Sequence, residues 1–539
     1  MILSGNIINI RQQTIGFGEI KIHNDKIIDI NVSAPEKKDK PYYMPGFIDS
    51  HVHIESSMLV PGRFAEIAVK HGTIATVSDP HEIANVMGEE GIRYMIDNSK
   101  SVPFKFFFGL PSCVPATPFE TAGAIIDSSL TEKLIQDPDL HYLAEMMNWP
   151  GVLNRDKDVM AKIRSAQKAG KPVDGHAPGL KGNDAKKYIS AGISTDHECF
   201  TLEEARDKAS EGMKILIREG SAAKNFDALI PIINEYPELI MFCSDDKHPD
   251  DLMEGHINQL VIKAISLGYD FFNVLQAACL NPIDHYNLNV GKLEKGDNAD
   301  FIKIKDLDSM EVLETWINGE IVQNEQKVKF KAPKSLIINN FYSYSVSESD
   351  LKIKKSDKEI PVIKAIDGSL ITEKSFFHSE ISEFTEKQLV NKDLCKLVVV
   401  NRYKEEIPAV CYIEGTGLKE GAFGGTVAHD SHNIIVAGTN DKDIIKVINQ
   451  LMETKGGLAA SGNNEIKSLP LPIAGLMTDE NGSDTGIKYQ NIDKFVKDMG
   501  STLNAPFMTI SFMALLVIPK IKLSDKGLFD AENFTFYNQ

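Results

Sequence analysis

The sequence predicts an α/β protein built around a (β/α)8, TIM-like barrel, with a composite β-sandwich from both of its flanks and a further α/β domain at the C-terminus. Three observations predict this. Eight short β-rich runs alternate with helix-compatible segments over roughly 240 residues, the size of one such barrel. Nearly every run ends in a cluster of polar residues. A period-two pattern with polar turns precedes the alternation and returns after it. A doubly wound sheet is the alternative, but no G-x-G-x-x-G follows the first strand.

The elements follow in order. Residues 1–43 carry "GNIINI", "GEIKIHNDKIIDI" and the Lys/Pro-rich "APEKKDKP". The matching pattern lies in 286–335, with "VGKLEKGDNADFIKI" and "VLETWINGEIV", where "NGE" reads as a hairpin turn. The two flanks are expected to pair as one small composite domain. The barrel is expected over 44–285. Its strand candidates are "MPGFIDSHVH", "TIATVSDPHE", "FKFFFGLPSC", "HYLAEMMN", "KPVDGHAPG", "GISTDHE", "MKILIREGS" and "LIMFCSDDKH". Segments such as "PGRFAEIAVKH", "DKDVMAKIRSAQKAG", "LEEARDKASEG" and "GHINQLVIKAISLG" supply the helices. Residues 336–539 change character. "LVVVNRY", "AVCYIEG" and "NIIVAGT" read as buried strands, and "DKDIIKVINQLMETKGG" as an amphipathic helix closed by glycine. The polar "SVSESDLKIKKSDKE" reads as an exposed loop or linker.

Composition narrows the class. The 539 residues exceed one ordinary core and imply two to four domains. Charge is 58 basic against 76 acidic, a net of −18, which argues against a nucleic-acid or anionic-membrane partner. Six scattered cysteines form no CxxC pair, so neither a zinc ribbon nor a disulfide framework is expected. The N-terminus "MILSGNIINI" lacks signal-peptide character, and the longest apolar run is too short for a bilayer. A cytoplasmic protein is expected.

The chemistry is carried by the strand ends, which form the active face of such a barrel. They present His51 and His53, then Asp79, His81 and Glu82, then Glu145, His176, His197 with Glu198, Arg218 with Glu219, and Asp245 with Asp246. Four histidines with two carboxylates are a metal-ligand inventory. His51 and His53 lie two apart on a strand and so point to one side, where both imidazoles grip one cation. Glu145 interrupts an apolar run, "YLAEMMNWPG". A lone buried carboxylate is costly, so it either pairs structurally or bridges two metals. His51, His53, Glu145, His176, His197 and Asp245 suffice for two ions. Asp245 is expected both to coordinate and to move protons. Asp246, next to it, is expected to point elsewhere. The alternative of an inactive scaffold predicts missing ligands, and all six are present.

"PGFIDSHVHIESS" resembles the first-strand signature of the amidohydrolase superfamily. "SDPHEIANVMG", "SCVPA", "AEMMNWPGV", "DGHAPGL", "IREGSAAKN", "SDDKHPDDL" and "GAFGGTVAHDSHNIIVAGT" are similar to the adenine deaminase family within it, over nearly the whole chain. The resemblance implies hydrolysis of adenine to hypoxanthine and ammonia at a binuclear centre of Mn²⁺ or Fe²⁺. It implies that His51, His53 and Asp245 hold one ion, that His176 and His197 hold the other, and that Glu145 bridges them. It departs from relatives that use a carboxylated lysine as the bridge. Glu198 is then expected either to protonate purine N1 or to orient its neighbours. Asp245 would carry the water's proton to the departing amine. Asp79, His81, Glu82, Ser112 and Cys113 are expected around the purine, and Arg218 with Glu219 either pair together or bind it. His429, Asp430 and His432 are read as a third metal site, a loop over the purine, or a plain hydrogen-bonding turn. A homo-oligomer is expected. The rival activity is that of a cyclic amidohydrolase of the dihydroorotase/hydantoinase type.

Overall fold

The structure, a computed structural model, describes residues 1–353, 359–377 and 384–537. Eight short strands run parallel in chain order: Phe47–Val52, Thr73–Ser78, Lys105–Leu110, Leu140–Met146, Val173–Gly175, Thr195–Asp196, Lys214–Arg218 and Ile240–Cys243. The first five form one ladder and the last three another. Two seams join them. Ser194 N donates to Val173 O at 2.9 Å between the fifth and sixth strands. Between the eighth and the first, Val52 bridges Asp245 in parallel, and Asp245 N donates to His51 O at 2.9 Å. The sheet is therefore a closed barrel, as the alternation predicts. Its strands are apolar because both faces are covered: all six residues of Thr73–Ser78 and all four of Ile240–Cys243 are buried.

The helices between them follow from local chemistry. Lys157–Lys168 begins at Asp156, whose carboxylate accepts from Asp158 N at 2.9 Å and Val159 N at 3.0 Å. Val159, Ile163 and Ala166, spaced four and three apart, form its buried stripe. Leu202–Ser210 is capped in the same way by Thr201.

Both flanks of the barrel enter one eight-stranded sheet. Tyr42–Pro45 sits between Ile2–Asn9, to which it runs parallel, and Phe301–Ile304, to which it runs antiparallel. The hairpin at "NGE" joins Val312–Ile317 to Glu320–Asn324 through Asn318 at φ 50° and Gly319 at φ 78°, the pair of left-handed residues a tight primed turn demands.

The C-terminal part holds a second eight-stranded sheet, with helices Asp441–Thr454 and Gly482–Asp498 packed on it. The first of these helices closes with Lys455 in the left-handed conformation, one residue before the glycine expected there. Of the stretch read as a linker, 354–358 lie outside the described residues, and Glu348–Leu351 form a single capped turn. The C-terminal part is held against the barrel mouth. Thr478 N donates to Met58 O at 2.9 Å, Asn433 Nδ2 to Thr121 O at 2.9 Å, and Thr121 N to Asp525 Oδ1 at 2.9 Å.

Candidate functional site

The C-terminal strand ends gather the expected residues in one buried cavity. It is lined by His53, Glu145, His176, His197, Glu198 and Asp245 from the barrel, and roofed by Leu370, His429, Asp430, Phe512 and Leu515 from the C-terminal part. Its volume of about 20 Å³ gives room for about one water, so a larger ligand enters only if the roof shifts.

Each side chain is fixed from behind. Asp49 accepts from Ser244 N at 3.0 Å and from His256 Nε2 at 2.8 Å, tying the first strand to the eighth beneath His51 and Asp245. Tyr188 donates to Met146 O at 2.7 Å and accepts from His176 N at 3.0 Å, setting the fourth strand against the fifth. Asp196 pairs with the buried Lys208 at 2.5 Å and accepts from Glu198 N at 2.9 Å, orienting the His197–Glu198 corner. Asp245 adopts φ 54°, a conformation uncommon outside glycine and more tolerated by aspartate than by most residues.

The donor atoms form two half-sites that share a carboxylate. In the first, His51 Nε2 and His53 Nε2 lie 3.1 Å apart and face Asp245 Oδ1 at 3.5 and 3.3 Å. In the second, His176 Nδ1 and His197 Nε2 face Glu145 Oε2 at 2.6 and 3.2 Å. The other Glu145 oxygen, Oε1, turns to His53 Nε2 at 3.5 Å. Ligands about 2.1 Å from one ion and at right angles to each other lie about 3 Å apart, so these spacings suit metal coordination.

The electrostatics agree. Burial disfavours a charged ring, yet the surrounding carboxylates push His51, His53 and His81 up, so the cavity favours positive charge. Burial likewise opposes a charged Asp245, yet Arg218, His51 and His53 hold it well below the usual carboxylate range. Glu145, also against burial, is held low by His176 and His197. The residues fit a metal centre.

The other expected residues fall in different places. His81 and Glu82 line the cavity, with His81 Nδ1 3.1 Å from Asp79 Oδ2 and 3.3 Å from Glu145 Oε1. Asp79 sits behind His81 rather than in the lining, and its carbonyl lies 3.2 Å from His53 Nδ1. Ser112 and Cys113 line a neighbouring cavity. The Ser112 hydroxyl is occupied by the Glu145 carbonyl at 2.6 Å, which turns it away from the centre. Arg218 does not pair with Glu219. It binds Glu198 at 2.9 Å through Nη2 and also contacts Asp245, while Glu219 meets Lys263 at 3.4 Å. Asp246 lines the same cavity as Asp245, held by the Ser56 hydroxyl at 2.5 Å. Glu55 reaches beyond its own loop. It accepts from Ile83 N at 3.2 Å, and burial, aided by Glu82, pushes it up to about 7. All six cysteines are buried free thiols.

Likeness to known proteins points the same way. Residues 42–322 match the model of the amidohydrolase family, and residues 369–535 that of the adenine deaminase C-terminal domain. A protein of Sulfurovum named adenine deaminase is 49% identical over 540 residues, covering 99% of each chain. The chain belongs to the adenine deaminase family. Members named in the same way from Methanosarcina mazei and Borreliella burgdorferi are 48% and 47% identical, covering 96% and 99% of this chain. Among solved structures, a beta-aspartyl dipeptidase from Fervidobacterium islandicum aligns over 61% of this chain and 99% of its own, at 17% identity and a TM-score of 0.46. In this adenine deaminase family member, the residues that strand-end reasoning missed are Arg218 as a shared clamp and the roof residues Leu370, Phe512 and Leu515. The signal available for Arg218 was its own strand end. The roof residues had none.

Proposed function

We propose that this protein deaminates adenine to hypoxanthine and ammonia by hydrolysis. The observation that carries the reading is the near-full-length relation to proteins named adenine deaminase, which extends through the C-terminal residues 369–535. That extension disfavours the dihydroorotase/hydantoinase alternative. In this reading His51, His53 and Asp245 would hold one divalent ion, His176 and His197 would hold a second, and Glu145 would serve both. When bound, two such ions, Mn²⁺ or Fe²⁺, would acidify water and supply hydroxide at neutral pH.

The chain's own residues would direct the protons. Of the two protons of water, one ends on N1 of the product and the other on the leaving amine. Asp245 takes the proton bound for the amine and hands it over as the C6–N bond breaks. Glu198 serves N1. Arg218 holds both of its carboxylate oxygens, so Glu198 must loosen from the guanidinium before it can reach N1. His81 and Glu82 frame the purine, with Asp79 supporting His81. Ser112 and Cys113 are kept as expected neighbours of the purine from the adjoining cavity, where the Ser112 hydroxyl supports the Glu145 carbonyl. The proposed organisation is a composite β-sandwich from 1–43 plus 286–335, a catalytic barrel over 44–285 and an α/β domain over 336–539, supported by the sheet that joins both flanks. The substrate is a small molecule. No described helix is long and apolar enough to cross a membrane. A homo-oligomer in a reducing cytoplasm completes the proposal, the latter supported by the six free thiols.

The test is incubation of Mn²⁺-loaded protein with adenine, adenosine, guanine, cytosine and a dihydropyrimidine. Loss of adenine absorbance with stoichiometric ammonia is expected. Turnover of the dihydropyrimidine and none of adenine would overturn the reading.

A further inference from the structure

A second cluster of metal-ligating side chains adjoins the two half-sites and is left unexplained by them. It is centred on Glu82, in the first turn of the helix His81–Met87 after the second barrel strand. Its partners His429 and His432 come from 347 and 350 residues further along the chain. Glu82 Oε1 lies 2.7 Å from His429 Nδ1 and 3.3 Å from His81 Nε2. Glu82 Oε2 abuts His432 Nε2. Asp430 Oδ1 closes the group at 3.8 Å from both His81 Nε2 and His429 Nδ1. All five residues are at most 3% exposed.

Hydrogen bonding does not account for this arrangement. Neither Glu82 Oε2 nor His432 Nε2 makes an aligned hydrogen bond despite their contact, and His432 Nδ1 and Asp430 Oδ2 also lack partners. An imidazolium at His432 would carry two N–H donors, and neither has an aligned acceptor. A neutral ring protonated at Nδ1 would instead face a lone pair toward a carboxylate oxygen, at a cost in a buried site, and one protonated at Nε2 would leave that N–H without an aligned acceptor. A cation turns both into ligands. Apart from the tight Glu82–His432 contact, the donor separations of 2.7 to 3.8 Å lie around the roughly 3 Å expected for neighbouring ligands about one ion. Three imidazoles with two carboxylates are a mixed N/O set that suits a divalent first-row transition metal better than Ca²⁺ or Mg²⁺, which take oxygen alone.

We propose that Glu82, His429 and His432, with His81 and Asp430 at the rim, form a third cation site that fastens the C-terminal part over the barrel mouth. This goes beyond the proposed reaction and does not depend on it. Three of the five ligands sit on the Val427–Asn433 loop, where Asp430 and His429 roof the cavity. Loading the site would therefore hold His429 and Asp430, and opening for a substrate would fall to the Leu370, Phe512 and Leu515 side of the roof.

The test uses the full chain, saturated with Mn²⁺ and freed of excess metal, with the ions located by anomalous diffraction at the manganese edge and counted by elemental analysis. A wild-type peak between Glu82 and His432 is expected, in addition to any at the Glu145 pair, and His432→Asn should remove it while leaving the others. Peaks at the Glu145 pair with none at Glu82 would overturn this inference and leave the proposed reaction standing. A peak at Glu82 with none at the pair would do the reverse. Because the wild-type map alone decides, a His432→Asn chain that fails to fold removes only the second check. A folded variant that keeps the Glu82 peak would also overturn the inference.

Discussion

The floor and the roof of the cavity are built by different means. The floor residues stand on the ends of barrel strands and are locked from below by Asp49, Tyr188 and Asp196. The roof residues come from loops and short helices of the C-terminal part, held to the barrel by scattered hydrogen bonds such as that of Thr478 with Met58. Groups that perform chemistry need fixed positions, whereas a cover must open for a purine in a cavity of about 20 Å³. The comparison predicts that floor substitutions lower kcat and that roof substitutions mainly raise KM.

The largest effect belongs to the floor. Asp245→Asn keeps the shape but removes the proposed proton carrier, and kcat should fall by about 10²–10⁴-fold, with circular dichroism unchanged. Activity within a factor of two of wild type would break the assignment. Arg218→Lys comes next. A lysine is a point charge and cannot fork between Glu198 and Asp245 as the guanidinium does. Loss of one charged hydrogen bond predicts a kcat reduction of about 10–100-fold with little change in KM. For the roof, Phe512→Ala removes a ring stacked on His429 at 4.5 Å and 10°. The apolar packing of that ring is worth about 1–2 kcal/mol, so KM should rise about tenfold while kcat holds. A fall in kcat alone would erase the distinction between the two layers.

The two layers also differ in how far the sequence disclosed them. His51 and His53 were legible because a strand has a period of two, so their spacing alone sets them on one side. Glu145 stood out as a charge within an apolar strand, and nearly all of the eight strand ends carried their own polar mark. The Arg218 clamp was not legible, since its partners lie 20 and 27 residues away and meet it only once the barrel closes. Ser112 was read by position on a strand end, but a local hydrogen bond to the Glu145 carbonyl redirects it. Leu370, Phe512 and Leu515 are apolar residues in apolar runs, and nothing local separates a pocket wall from an ordinary core. Glu82 was visible, but the histidines that converge on it depend on tertiary packing.

The smallest effect concerns what supports the roof. Lys522 is fully buried within Ile521–Ser524 and donates from Nζ to the carbonyls of Leu370 at 2.8 Å and Phe512 at 2.9 Å. It thus holds two roof residues by their backbone without touching the floor. Burial pushes its pKa down to about 7, against about 10.4 for an unfolded lysine. Between these values the unfolded chain binds a proton that the folded chain has released, so this residue makes stability rise with pH. Lys522→Met removes that dependence. The stability of wild type relative to the variant should therefore increase from pH 7 to pH 9, at no more than about 1.4 kcal/mol per pH unit. Urea midpoints of both proteins at the two pH values measure it. Parallel midpoints would show that Lys522 keeps its proton in the fold, as an ordinary ammonium bonded to two carbonyls. In that case the roof would be anchored by a fixed charge, and its hold on Phe512 would not weaken or strengthen across the pH range in which the floor works.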